Sequence, residues 1–122
     1  MCSLFGLIDF KECLSTHAKN KILNVLAREC QVRGTDATGI AYNFNNRLRI
    51  YKRPIPARKM KVHVPHGVNV VMGHTRMTTQ GNAQFNQNNH PFLGHLTVVA
   101  LLLPTTVCCG TTKSYEWKKV CR

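Results

Sequence analysis

Gly39-Ile-Ala-Tyr-Asn-Phe-Asn-Asn-Arg-Leu-Arg-Ile-Tyr-Lys52 reads as a β-hairpin: strands over Gly39 to Phe44 and Leu48 to Lys52, with Asn45-Asn46 as the turn. Side chains alternate about that turn, and asparagine tolerates the positive φ that a two-residue hairpin loop demands. Pro54 and Pro56 stop the second strand, since proline has no N–H for a ladder. Upstream, residues 16 to 33 have helical spacing. Thr16 is the expected cap. Ala18, Ile22, Val25, Leu26 and Cys30 form the expected buried stripe, with Lys19, Lys21, Asn24 and Arg28 mostly opposite. Gly34 is the expected residue just past the helix end. Leu4-Phe5-Gly6-Leu7-Ile8 reads as a buried strand, and so does Val68 to Met72. The latter leads into Gly73-His74-Thr75-Arg76, which sets polar groups at a strand end, where sites are commonly built.

The chain has 122 residues and 43% hydrophobic residues, enough for one modest core. That composition excludes a collagen-like, low-complexity or wholly disordered polymer. Seventeen Lys+Arg against five Asp+Glu give +12, which favours weak attraction to polyanions and says nothing of fold. Arg58-Lys59-Met60-Lys61 is basic without interleaved aromatics and reads as a solvated loop face. Met1-Cys2-Ser3-Leu4 lacks the basic start and apolar run of a secretory signal, and the apolar run Val98 to Leu103 is far short of a membrane span. The expected setting is a reducing cytoplasm with free thiols, although three of the six cysteines (Cys108, Cys109, Cys121) fall in the last fifteen residues.

Cys2 carries the chemistry. Removal of the initiator methionine leaves a terminal cysteine, whose thiol then sits beside its own α-amine. That amine has an unperturbed pKa of roughly 7.7–8.0, suited to a general base near neutral pH. Nucleophile and base in one residue are the working parts of N-terminal-nucleophile catalysis.

Four ordered blocks give that residue a context: Met1-Cys2-Ser3-Leu4-Phe5-Gly6, Arg33-Gly34-Thr35-Asp36-Ala37-Thr38-Gly39-Ile40-Ala41, Gly73-His74-Thr75-Arg76-Met77-Thr78-Thr79-Gln80-Gly81 and Asn88-Asn89-His90-Pro91-Phe92. Over residues 1 to 93 they resemble the class II glutamine amidotransferases. The resemblance implies a four-layer α/β/β/α sandwich of antiparallel sheets, the N-terminal-nucleophile hydrolase fold, of which this chain holds the first half. It implies that Cys2 attacks the glutamine side-chain amide and holds the glutamyl group as a thioester, releasing glutamate and ammonia. Arg76 matches the arginine that grips the substrate's α-carboxylate, a task suited to a guanidinium fork. Thr79 and Gly81 match the loop lining the glutamine pocket. Asp36 and Gly39 match a motif read as a turn beside the nucleophile strand, while His74 and His90 are read as structural hydrogen-bonding residues. The reaction calls for no cofactor and no metal ion. Ser3, Met77 and Gln80 depart from the family, which favours glycine, tryptophan and histidine there.

A further departure is an absence. The family carries His-Asn-Gly followed by Val-Leu and an aromatic shortly after the Asn-His-Pro-Phe region, and the Asn and Gly supply oxyanion donors. This chain lacks the block, and a later aspartate that completes amino-group recognition. Back-translating Leu101 to Trp117 with permitted codons and starting one nucleotide earlier spells Phe-Ala-Leu-Ala-His-Asn-Gly-Val-Leu-Trp-Asn-Asp-Lys-Glu-Leu-Arg-Met, the missing block in its place. Residues 94 to 122 are therefore read as an out-of-frame tail following a frame change between about Gly94 and Leu101. This explains the crowded cysteines and absent periodicity. Residues 1 to 93 are then a partial glutaminase domain of impaired activity.

The expected partners are glutamine as substrate and an ammonia-accepting synthase, with self-association through unpaired strand edges and no membrane. The competing reading is a small basic protein for nucleic acid or another polyanion, or a non-catalytic remnant. Charge favours it. No RNP-like aromatic pattern, phosphate cradle or zinc-ligand spacing does, and His63-x-x-His66 with Cys108-Cys109 lacks paired zinc geometry.

Overall fold

A computed structural model describes residues 2–95 and 100–103. Strand β1 (Ser3–Ile8) is followed by helix α1 (Thr16–Cys30), strands β2 (Ala37–Phe44) and β3 (Arg47–Arg53), strand β4 (Val70–Arg76), and a short pair β5 (Phe92–His95) and β6 (Ala100–Leu103). The first four strands form one antiparallel sheet in the order β1-β4-β2-β3, and β5 pairs with β6 in a second. The class is α+β, with a single helix among the described residues. Part of the expected tail, Ala100–Leu103, is strand; residues 104–122 lie outside the described residues.

The hairpin forms where its alternation predicts. Asn45 and Asn46 take φ of 50° and 56°, and Phe44 pairs with Arg47 across the turn. β4 differs from expectation. It begins at Val70, two residues later than expected, and takes in Gly73, His74, Thr75 and Arg76, so the polar residues form the last rungs of the ladder and Arg76 is the strand's final residue. Pairing on both edges explains this: β1 and β2 each bond to β4 through Thr75.

α1 also departs from its predicted face. Ser15, and not Thr16, caps the helix, its Oγ accepting the Ala18 N–H at 3.2 Å. The fully buried stripe is Lys19, Leu23 and Ala27, with Leu26 and Cys30 half-buried beside it, and Val25 is 52% exposed. The reason is polar. Lys19 is buried against Asp9 at 3.1 Å and donates to the Val68 carbonyl at 3.0 Å and Asn69 Oδ1 at 2.8 Å. Asn20 and Asn24 each bond both ways to the backbone of residues 62 and 64, which belong to no sheet. Those bonds satisfy main-chain groups that water cannot reach and let Val62 and Val64 enter the core with Phe5, Leu23, Ile40 and Val71. Arg58, Lys59 and Lys61 stay exposed around a buried Met60. After α1 a 3₁₀ turn (Gln31–Arg33) runs to Gly34, which is extended (φ −163°) and not left-handed. Glycine is required there for space, because a Cβ would stand 2.6 Å from the Thr75 carbonyl.

α1 covers one face of the sheet. The opposite face carries Leu4 and Ile8 from β1 and Val70 from β4, at 46%, 58% and 53% exposure, while His90 packs on it against His74. β1 and β3 are the outer strands of the four.

Candidate functional site

Cys2 and Arg76 lie towards the same end of β1 and β4, and Thr79 and Gly81 lie in the loop that follows Arg76. The β1–β4 ladder ends at Ser3↔Thr75, and the β2–β4 ladder at Ala37↔Arg76. One residue further along β1, Cys2 comes opposite Arg76 and, by strand alternation, on the same face as Arg76 and His74. Cys2 Sγ lies 3.8 Å from the Met77 carbonyl, the next residue after Arg76, and is half-buried. The thiol therefore lies against the backbone that follows Arg76. Met1 lies outside the described residues, and Cys2, Cys13 and Cys30 are free thiols.

Arg76 is 7% exposed. Nη1 donates to Asn89 Oδ1 at 2.7 Å, and Nη2 donates to the Gln80 carbonyl. These use two of the five guanidinium N–H groups. Gly81, at φ +71°, turns the chain next to that guanidinium; a Cβ there would come 3.3 Å from Asn88 Nδ2 and 3.7 Å from Arg76 Nη2. Thr79 lies exposed in the same 77–81 segment.

Asp36 fixes the segment's start. Its backbone N–H donates to the Arg76 carbonyl at 2.9 Å and its Oδ2 accepts the Thr78 N–H at 2.6 Å. The Thr78 N–H, with the Arg76 charge contributing, holds this carboxyl below the usual carboxylate range. Of the motif expected to be a turn beside the nucleophile strand, residues 34–36 link the helix end to β2 and Gly39 lies within β2; β4 separates β2 from β1, so the motif adjoins β4 and the loop after Arg76 instead. A Cβ on Gly39 would stand 2.1 Å from the His90 carbonyl oxygen, so glycine lets the 89–91 backbone lie directly on the strand.

His74 has a different role from the one expected. Among the described residues neither ring nitrogen has a hydrogen-bond partner, and the ring packs against His90 at a 4.3 Å centroid separation, which in turn packs on Phe92 at 4.4 Å. Burial, then the neighbouring His90 and Arg76, lowers the His74 pKa to about 4, so it is neutral at physiological pH. Lys52 closes this end: Nζ donates to the Asn89 carbonyl at 2.7 Å and the Pro91 carbonyl at 3.3 Å and stands 5.1 Å over the Phe92 ring. Asn89 and Lys52 had no role in the sequence reading. Asn88 and Asn89 are adjacent, and spacing alone does not say which of the two is buried.

A separate recess of about 670 Å³ lies between α1 and residues 61–63, lined by His17, Asn20, Lys21, Asn24, Lys61 and His63 among others. It shares no residue with the Cys2–Arg76 cluster. Among the described residues no helix is long and apolar enough to cross a membrane.

The chain is similar to the glutamine–fructose-6-phosphate aminotransferase (isomerizing) of Sulfolobus acidocaldarius, with 29% identity over 120 residues. The match takes in 95% of this chain and 19% of that protein's length, so the chain spans about a fifth of its relative. No protein-family model matches, and no solved structure matches.

Proposed function

We propose that this chain is the leading part of a glutamine-hydrolysing domain of the class II amidotransferase type. The observation that carries this reading is the approach of Cys2 to the Arg76 end of β4 from a neighbouring strand. The similarity to a glutamine-using aminotransferase supports it. With Met1 removed, the α-amine takes the thiol proton. The sulfur then bonds to the side-chain amide carbon of glutamine while Arg76 holds the α-carboxylate. The carbon–nitrogen bond breaks, the proton passes to the departing nitrogen, and ammonia leaves. Water cleaves the thioester, giving glutamate and restoring the thiol. Thr79 and Gly81 line the pocket, and the layers beyond the described sheet complete the α/β/β/α sandwich.

Residues 94–122 are proposed to derive from a frame change, which removes the oxyanion-donating Asn and Gly. Loss of one such donor slows acyl transfer by ~10²–10³. The test is therefore covalent capture, which does not require turnover. A glutamine-analogue electrophile should label Cys2, with labelling abolished in Arg76→Ala, while a small alkylating agent lacking a carboxylate labels both proteins equally. Equal capture of the analogue by both proteins would contradict the reading. The polyanion alternative has its own observation, the basic recess between α1 and residues 61–63. Salt-dependent nucleic-acid affinity without selective Cys2 labelling would favour it.

A further inference from the structure

The geometry points to Asn89 as the positioning residue for Arg76, holding the guanidinium at the angle from which it receives a substrate carboxylate; this rests on the glutaminase reading above. Asn89 is fully buried, at 0% exposure, and nearly all its polar capacity is engaged. Oδ1 accepts from Arg76 Nη1 at 2.7 Å, and Nδ2 donates to the Ala83 carbonyl at 2.7 Å and to Asn86 Oδ1 at 3.4 Å. Its own carbonyl accepts from Lys52 Nζ at 2.7 Å, and its N–H donates to the Asn86 carbonyl at 3.0 Å. One side chain thus ties the guanidinium to a loop that is itself anchored to β3 through Lys52 and seated on β2 at Gly39.

A planar fork recognises a carboxylate only when its plane is fixed, because bidentate bonding needs two N–H vectors parallel to the two oxygens. The Gln80 carbonyl bonds Nη2, but Gln80 is exposed and belongs to the loop that must admit substrate. Asn89 is the buried partner, bonded on both sides of its amide. Supporting groups of this kind set the geometry of the residues that touch substrate.

The experiment compares Asn89→Asp with Asn89→Leu in the full chain. Asp keeps an acceptor for Nη1 and loses the donor to Ala83; Leu loses both. Saturation kinetics of Cys2 capture by the glutamine-analogue electrophile should show half-saturation raised at least tenfold in Asn89→Leu and within threefold of the parent in Asn89→Asp. The limiting capture rate and the rate with iodoacetamide should be unchanged in both. A residue that only braced the loop would weaken both variants alike, and that result overturns the inference. So does unchanged half-saturation in Asn89→Leu.

Nitrogen-15 NMR of the guanidinium provides a readout independent of capture. Rotation of the Arg76 Nη groups should be slow in the parent and in Asn89→Asp and fast in Asn89→Leu; fast rotation in the parent overturns the inference. If the parent is not captured selectively at Cys2, the glutaminase reading fails while the NMR comparison still decides the positioning. Should Asn89→Leu not fold, Asn89→Ser, too short to reach Nη1, replaces it with the same expected outcomes.

Discussion

His74 shows what burial does to one titratable ring. With its pKa lowered to about 4 in the folded protein, it stays neutral while the unfolded chain's histidine protonates near 6.5. The unfolded state then binds the extra proton, so stability declines as pH falls from about 6.5 towards 4, the sign that linkage requires. Urea unfolding at pH 7 and pH 5 should differ by about 2 kcal/mol from this group, and the difference should vanish in His74→Phe. A pH-independent midpoint over that interval in the parent would contradict the assignment. Asp36 acts in a lower window. Its carboxyl lies below the ordinary range, so its contribution is present above about pH 4 and is lost as the pH falls through the folded value. Neither environment was legible in the sequence. A histidine in a Gly-His-Thr-Arg string gives no sign that its neighbour in space is His90, sixteen residues on.

At the scale of elements, local chemistry announced some features and tertiary partners decided others. The Asn45-Asn46 hairpin was legible because its turn is specified by the two residues that form it. The face of α1 was not, because Asp9, Asn69 and the 62–64 backbone make Lys19, Asn20 and Asn24 inward-facing residues. Apolar periodicity cannot register partners that distant. Substitution separates the two faces. Leu23→Ala should cost about 2–5 kcal/mol, and Val25→Ala, on the expected stripe but exposed, less than about 0.5 kcal/mol. Ser15→Ala should cost about 1 kcal/mol, and Thr16→Ala should lie near zero. Comparable losses at Leu23 and Val25 in chemical denaturation would restore the predicted stripe. Gly39→Ala should cost about 1–3 kcal/mol and raise half-saturation for the glutamine analogue, because the new methyl displaces the backbone that carries Asn89.

At the scale of the whole molecule, one sheet face is covered by α1 and the other displays Leu4, Ile8 and Val70, with β1 and β3 as outer strands. Exposed apolar area beside edges that, among the described residues, pair with no further strand favours association. Sedimentation velocity should therefore show concentration-dependent self-association, reduced in Ile8→Lys combined with Val70→Lys; a monomer at all concentrations would contradict this. If residues 94–122 derive from a frame change, restoring the alternative frame from about Gly94 should recover the His-Asn-Gly block and raise glutaminase turnover by more than the ~10²–10³ of a single oxyanion donor. Four short blocks singled out Cys2, Arg76, Thr79 and Gly81, which the fold places towards one end of the sheet, but no block said that a buried asparagine would bond the arginine. The claim beneath all of this is that Cys2 is the terminal nucleophile of a glutamine site. Intact-protein and peptide mass spectrometry of the purified chain, treated with a glutamine-analogue electrophile, tests it most directly. The account predicts a chain lacking Met1 that carries one adduct, on Cys2 and on none of the five other thiols. A chain that retains Met1, or an adduct spread across the cysteines, would contradict it.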